Sequence, residues 1–195
     1  MKTIVVSGGA GFIGSHLCET LISRGDKVAC VDNLLTGSQK NIAHLLSNSN
    51  FLFFEHNVVE KFESKKLNKI DEIYHLASPA DPNVHSPMSY MSHPFETMQV
   101  NTIGTWNMCE LAVKHGAKLS FSSTSEVYGD PEVSPQSEDY RGNVSTTGPR
   151  AVYDEAKRFG ETVVSAFIRE KGLNGRISRI FNTYGPRMNI NEGRA

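Results

Sequence analysis

The sequence predicts an α/β fold, a doubly wound parallel sheet with helices on both faces. Three observations carry that prediction. Short β-branched runs alternate with amphipathic helical stretches, the first run ends in glycines that open a helix, and the second ends in an aspartate. Strands joined through helices pair in parallel with right-handed crossovers. At 195 residues the chain reads as one domain with room for a sizeable core.

The elements follow in order. "TIVVSG" (3–8) is a short strand ending in glycine, and "FIGSHLCETLISRG" (12–25) is a helix with Ile13, Leu17 and Leu21 on one face and Gly25 as its stop. "KVACVD" (27–32) is the second strand, "SQKNIAHLL" (38–46) a helix, and "FLFFEH" (51–56) and "DEIYHLA" (71–77) two further strands. A long helical segment is expected from about 94 to 115, with Val100, Ile103, Trp106, Met108 and Leu111 as its apolar residues, before the strand "AKLSFSS" (117–123). The helix at 150–172 places Val152, Ala156, Phe159, Val163 and Phe167 at 4-3-4-4 spacing, and "GRISRIFN" (175–182) is the sixth strand. That strand runs into "TYGPRMNINEGRA" with no further helix to cover it, so residues 1–195 read as one domain that looks unfinished.

Composition narrows the function. A net charge of −1 and ordinary hydrophobic content give no reason to expect nucleic acid or an anionic membrane as partner. The longest apolar runs, such as Ile4–Val6, are far too short to span a bilayer, and Met1-Lys2-Thr3 leads straight into strand residues instead of a signal peptide. Cys18, Cys30 and Cys109 are scattered, which suits small buried hydrophobes in a reducing cytoplasm. The seven histidines show no HxxxH or HExxH spacing, so no metal site is expected. Two proline-rich loops, 78–94 and 129–149, follow strand C-termini, where open α/β sheets bind ligands.

"SGGAGFIG" puts Gly8, Gly11 and Gly14 between the first strand and the first helix. Backbone amides at that helix start can face a pyrophosphate, and glycines let it approach without Cβ clashes. About 20 residues on, Asp32 stands where a carboxylate can bond a ribose 2′-hydroxyl. Asn33 and Leu34 follow it, not Arg or Lys, so a 2′-phosphate would be repelled and NAD is expected over NADP.

Tyr153 and Lys157 lie four residues apart on one helix face, expected beside the apolar stripe and not within it. A tyrosine with an ordinary pKa near ~10 is a poor base at neutral pH; a neighbouring ammonium favours its phenolate. The strand end "SFSSTSEVYGD" adds a dense run of hydroxyls and one carboxylate, Glu126, to the same candidate site.

Together, GGxGFIG, "TSEVYG" and YxxxK resemble the extended short-chain dehydrogenase/reductase family, whose members act on nucleotide sugars and have a Rossmann-like fold. "DNLLTGSQKNI", "HLASPADP", "STSEVYGDPE", "SPQSEDYRGNV", "GPRAVYDEAKR" and "RIFNTYGPRMN" resemble its UDP-glucuronic acid decarboxylase (UDP-xylose synthase) branch. The resemblance implies NAD as cofactor and a UDP-sugar, UDP-glucuronate, as substrate. It implies that Gly8, Gly11, Phe12, Ile13 and Gly14 hold the pyrophosphate, Asp32 and Asn33 the adenosine ribose, and Thr36, Gly37 and Ser38 a phosphate or ribose edge. Asn57 and Val58 would meet the adenine, Leu76, Ala77 and Ser78 would line the cofactor, and Asn101 would support it. Thr124, Glu126, Tyr153 and Lys157 would be the catalytic set, with Lys157 also on the nicotinamide ribose. Pro79, Ala80, Asn182 and Arg187 would contact the nucleotide sugar.

Two positions depart from the family pattern: Asn57 stands where Asp is usual, and Arg141 where tryptophan is usual. The same scaffold carries 4-epimerases and 4,6-dehydratases. A dehydratase is expected to have adjacent Asp-Glu after the threonine, and an epimerase no carboxylate there; here Ser125 precedes a lone Glu126. A reading from another class is a non-catalytic NAD-binding fragment. The resemblance also implies a homodimer through the helices at 94–115 and 150–172.

Overall fold

The computed structural model describes residues 1–188; Asn189 of "RIFNTYGPRMN" and the six residues after it lie outside the described residues. Six parallel strands form one sheet: β1 (Thr3–Ser7), β2 (Lys27–Asp32), β3 (Phe51–Glu55), β4 (Glu72–His75), β5 (Lys118–Thr124) and β6 (Asn174–Ile180). Their spatial order is β3-β2-β1-β4-β5-β6. The chain winds outward from β1 to β3, returns to β4 beside β1, and winds outward again. That reversal leaves a crevice at the C-terminal ends of β1 and β4, where such sheets bind dinucleotides.

Alternation along β1 shows how the strands build two cores. Ile4 and Val6 point to one face, with Val28 and Cys30 of β2 and Cys18 and Leu21 of the helix α1 (Phe12–Ser23). Val5 points to the other, with Ala29, Val31, Ile73, Leu119 and Phe121. That second face is covered by α3 (Thr105–His115) and α4 (Ala151–Lys171), with α2 (Pro94–Gln99) packed on α4. Strands buried on both faces read as continuous apolar runs, which is the pattern of β1 and β2.

Four expectations are corrected. The segment expected as a helix over 38–46 is a 3₁₀ helix, Gln39–Leu45. The helix expected to run unbroken to 115 has a π-helical turn, Val100–Gly104, between α2 and α3. On α1 the fully buried positions are Gly14, Ser15, Cys18 and Leu21, while Ile13 and Leu17 are half-buried. On α4 the buried stripe is Tyr153, Ala156, Lys157, Gly160, Val163, Val164 and Phe167, and Phe159 faces solvent. Tyr153 and Lys157 therefore sit within the packed stripe, because that stripe lies against β5 and the site opens between them.

The π turn has a packing partner. A Cβ on Gly160 would lie 2.6 Å from Phe121 Cζ and 3.0 Å from the Asn101 carbonyl oxygen, so α4 approaches the turn where only glycine fits.

Candidate active site

A cavity of about 810 Å³ runs along the C-terminal ends of the strands. Its walls include all but one of the residues that the sequence singled out for binding or catalysis, from Gly8 through Asp32, Asn57, Ser78 and Thr124 to Tyr153, Lys157, Asn182 and Arg187. Asn101 lies behind the wall, buried in the π turn, where its Nδ2 donates to Ser78 Oγ at 2.9 Å and to the Thr97 carbonyl at 2.9 Å.

One end is built by the glycine loop. Gly8 has φ of +74°, and a Cβ there would meet the Ala77 backbone nitrogen at 2.7 Å, so β1 can turn tightly against the end of β4. A Cβ on Gly14 would come to 2.1 Å from the Gly8 carbonyl oxygen, so α1 starts directly on the loop. Gly11 precedes α1 with no side-chain cap, leaving the first-turn amides of Phe12, Ile13 and Gly14 to face the cavity. Uncapped amides at a positive helix end, with no side chain in the way, fit the diphosphate of a dinucleotide. Asp32 anchors the next segment: Oδ2 accepts the Ala10 N–H at 2.9 Å and Oδ1 the Leu34 N–H at 2.8 Å. Burial pushes its carboxyl above the ordinary aspartate range, and those two bonds pull it back. The loop bearing Thr36, Gly37 and Ser38 is tied to the Ala10 carbonyl by the Ser38 N–H at 3.0 Å and by Asn41 Nδ2 at 2.9 Å. Arg187 is held over α1, donating to Ser15 Oγ at 3.4 Å and pairing with Glu19, which places it at the phosphate end.

The other end gathers hydroxyls and charges. Thr124 closes β5, and its Oγ1 accepts the Glu126 N–H at 3.2 Å, capping the 3₁₀ turn Ser125–Tyr128 that presents Glu126. Because that oxygen accepts, the hydroxyl proton stays available to a ligand. Lys157 Nζ donates to the Ser122 carbonyl at 2.7 Å and lies 5.7 Å from the Tyr153 ring centroid. Burial drives its ammonium down to about 7, against the pull of Glu161 one turn along α4. Glu161 is itself clamped by Ser123 Oγ at 2.6 Å and by the Arg179 fork at 2.9 and 2.8 Å. Asp154, buried in the first turn of α4, is pushed up to about 6 by burial, with Arg150 opposing.

His75 joins the two ends beneath the floor. Thr105 Oγ1 donates to the Asn101 carbonyl at 2.8 Å, so it accepts from His75 Nε2 at 3.1 Å, and Nδ1 accepts from Ser7 Oγ at 2.7 Å. Burial, with Lys157 nearby, drives this imidazole down to about 3, so it stays neutral.

Two residues of the reaction end were not singled out from the sequence. Tyr90, in the loop 78–94, stacks on Tyr153. Arg150, just before α4, donates from Nη2 to Glu126 Oε2. Arg150 stands three residues before Tyr153, one helical turn away, which is the one local signal that could have pointed to it.

Over 193 residues the chain is 51% identical to UDP-glucuronic acid decarboxylase 1 of Xenopus tropicalis, covering 99% of this chain and 44% of the relative. It is 47% identical over 192 residues to UDP-glucuronic acid decarboxylase 3 of Arabidopsis thaliana, covering 98% of this chain and 54% of that one. The chain thus spans about half the length of the curated relatives it matches. Among solved structures, UDP-glucose 4-epimerase of Thermotoga maritima with UDP-glucose superposes with a TM-score of 0.80 at 33% identity, over 96% of this chain and 58% of that one. A dTDP-glucose 4,6-dehydratase from Streptomyces venezuelae, solved with NAD bound, superposes with a TM-score of 0.80 at 27% identity, over 95% of this chain and 57% of that one. The sequence pattern of one family matches residues 4–195, which include every residue of the glycine loop, the Thr124 strand end and the Tyr153–Lys157 helix. The chain belongs to the NAD dependent epimerase/dehydratase family.

Proposed function

We propose that this chain is the NAD-binding and catalytic part of an enzyme that decarboxylates UDP-glucuronate to UDP-xylose. The observation that carries the reading is the lone carboxylate Glu126, presented by Thr124 at the reaction end of a dinucleotide-shaped cavity beside Tyr153 and Lys157. The identity of about half to decarboxylases from a vertebrate and a plant supports it over epimerase or dehydratase chemistry, because the epimerase and dehydratase structures above are more distant in sequence.

The Asp32 carboxylate, followed by Asn33 and Leu34 and not by Arg or Lys, favours NAD over NADP. When bound, NAD supplies a reversible oxidation at the sugar C4, which places a ketone β to the C5 carboxylate and so allows CO₂ to leave. Tyr153 takes and returns the proton of the sugar 4-hydroxyl. Thr124 holds that oxygen with its free hydroxyl proton, and Lys157 favours the Tyr153 phenolate by its charge. Glu126 handles the proton at C5. Pro79, Ala80 and Asn182 line the cavity as contacts for the sugar nucleotide, with Arg187 at its phosphates. Asn101 fixes Ser78 from behind.

A homodimer is part of the proposal. Phe95, Ile103, Trp106 and Phe159 are each about half exposed or more on the outer faces of α2, the π turn, α3 and α4. Trp106 also touches Phe167 across the α3–α4 pair, so these apolar groups form one neighbouring surface suited to the same helices of a second copy. The cytoplasm is the proposed location: Cys18, Cys30 and Cys109 are free and buried, as a reducing compartment permits, and among the described residues no helix is long and apolar enough to cross a membrane.

The test incubates two proteins with NAD⁺ and UDP-glucuronate: the 195-residue chain, and the same chain joined to the C-terminal part of a decarboxylase relative. The joined protein is expected to release CO₂ and form UDP-xylose. The chain by itself is expected to bind NAD⁺ and turn over poorly. Formation of UDP-galacturonate, or of a 6-deoxy sugar in a parallel incubation with UDP-glucose, would replace this reading with epimerase or dehydratase chemistry.

A further inference from the structure

Three consecutive residues close β5, and each makes a different connection. The Ser122 carbonyl accepts from Lys157 Nζ, Ser123 Oγ donates to Glu161 at 2.6 Å, and Thr124 Oγ1 accepts the Glu126 N–H. Lys157 and Glu126 line the cavity, whereas Glu161 does not. The middle tie therefore runs away from the chemistry, to a carboxylate that touches neither sugar nor cofactor.

Strand alternation explains where it goes. Ser123 shares the α4 side of β5 with Leu119 and Phe121, which belong to the same core as Val163, Val164 and Phe167 of α4. Arg179 stands opposite Ser123 in the β5–β6 register, and Glu161 bonds to both from α4, one helical turn past Lys157. Nε and Nη2 of Arg179 take the two carboxylate oxygens. Its Nη1 donates to Tyr128 Oη at 2.9 Å and to the Glu138 carbonyl at 3.0 Å, and the guanidinium lies 4.8 Å from the Tyr128 ring centroid. One carboxylate is thus the node where the end of β5, β6, the turn that presents Glu126 and the loop 129–149 meet. Its side chain is 15% exposed and that of Arg179 25%, so desolvation offsets much of their attraction, and the pair is weak evidence for stability. What a bidentate fork fixes is geometry.

We propose that Glu161 is a positioning residue for the reaction: it sets Thr124 and Lys157 relative to each other and, through Arg179, ties that setting to the loop 129–149. The proposal rests on reading Thr124, Tyr153 and Lys157 as the catalytic set.

The charge of Glu161 makes its role visible at Lys157. On its own helix the lysine faces Tyr153 and Glu161. β4 presents the neutral His75, β5 the Ser122 carbonyl and the Phe121 ring, and β6 Arg179, already held by Glu161. Glu126, on the turn packed against α4, is engaged by Arg150, and Glu96 of α2 lines the same cavity. Glu161 is the anion whose charge holds the ammonium up against burial.

The experiment has two arms. In the NAD-free chain, magnetic resonance of isotope-labelled lysine ε-carbons follows the Lys157 titration. Glu161→Gln keeps an acceptor for Ser123 but loses the charge, so the titration should move to lower pH, and Glu161→Asp should return part of the shift. Ser123→Ala keeps the charge and the Arg179 fork and should leave the titration in place. In the chain joined to the C-terminal part of a decarboxylase relative, Ser123→Ala and Glu161→Gln should each lower kcat about tenfold, with KM for UDP-glucuronate and NAD⁺ affinity held within about twofold. A Lys157 titration unmoved by Glu161→Gln, an unchanged kcat in both variants, or a kcat loss matched by an equal rise in KM overturns the positioning role. Failure of the unmodified joined protein to release CO₂ overturns the decarboxylase reading alone, and the Lys157 titration then decides for or against Glu161.

Discussion

Tyr90 lies flat on Tyr153, with ring centroids 4.7 Å apart and planes 10° from parallel. Tyr90 is almost fully buried, and burial pushes its phenol up to about 12, so it acts as a neutral wall for the reactive ring. Tyr90→Phe should keep the stack and fold normally. Tyr90→Ala should cost about 3–5 kcal/mol of stability, as large buried aromatics do. Urea unfolding measures the loss. In an active full-length protein the same change should lower kcat more than it weakens NAD⁺ binding, because only the reaction end loses its support.

Lys157 gives the fold a pH dependence whose sign is fixed by burial. Its pKa falls from the ordinary 10.5 to about 7 in the folded chain, so between those limits the unfolded chain binds more protons. Below about 7 both states are protonated, and the full cost of burying the charge is present. As pH rises from about 7 toward 10.5 the folded lysine is neutral and that cost is relieved, so this group makes stability rise. The contribution is of the order of 5 kcal/mol across the window. Denaturant unfolding of the chain and of Lys157→Met at several pH values isolates it: the difference between the two should shrink or reverse in the variant's disfavour as pH rises. A difference that stays flat from pH 7 to 10 refutes it.

Gly14→Ala tests the cradle. The added methyl would sit 2.1 Å from the Gly8 carbonyl oxygen, so α1 must move away from the loop it starts on. NAD⁺ affinity, followed by calorimetry, should fall at least about tenfold, equivalent to roughly 1.4 kcal/mol. Because Thr124 and Glu126 belong to another strand end, Glu126→Gln should leave NAD⁺ affinity within about twofold, a change of roughly 0.4 kcal/mol.

Ile103→Glu combined with Phe159→Glu places charges on the outer faces of the helices without touching either core cluster. Sedimentation velocity should show the unmodified chain as a dimer and the double variant as a folded monomer, with an unfolding midpoint lowered by the loss of association. A monomer for both would remove the proposed homodimer.

What the sequence made legible was local. The spacing of Gly8, Gly11 and Gly14, the Asp32 strand end and the Tyr153–Lys157 turn each lie within a few residues, and the sheet brings them to one cavity. Phe159 was misplaced because α4 has apolar residues on two sides, and periodicity alone cannot say which side meets the sheet. The π turn was hidden for a different reason: it lies against Gly160 of α4, a tertiary contact with no periodic trace in the sequence. Arg150 and Glu126 are 24 residues apart across an irregular loop, and Tyr90 is 63 residues before the ring it supports, so neither pairing could be read from spacing.

The Ser7–His75 hydrogen bond marks a seam with a temporal meaning. Most of what shapes the phosphate end, from the glycine turn to Asp32, the segment tied to Ala10, and Ala77 behind Gly8, is encoded before residue 80, and Arg187 joins it last. Every side chain assigned to the chemistry comes later in the chain. During synthesis from the N-terminus, the glycine-loop cradle is therefore complete as a chain segment while the groups of the reaction end are still unmade, and a nucleotide bound at that stage would act as a scaffold for the remaining strands. The order of the letters lets the ligand help assemble its own enzyme.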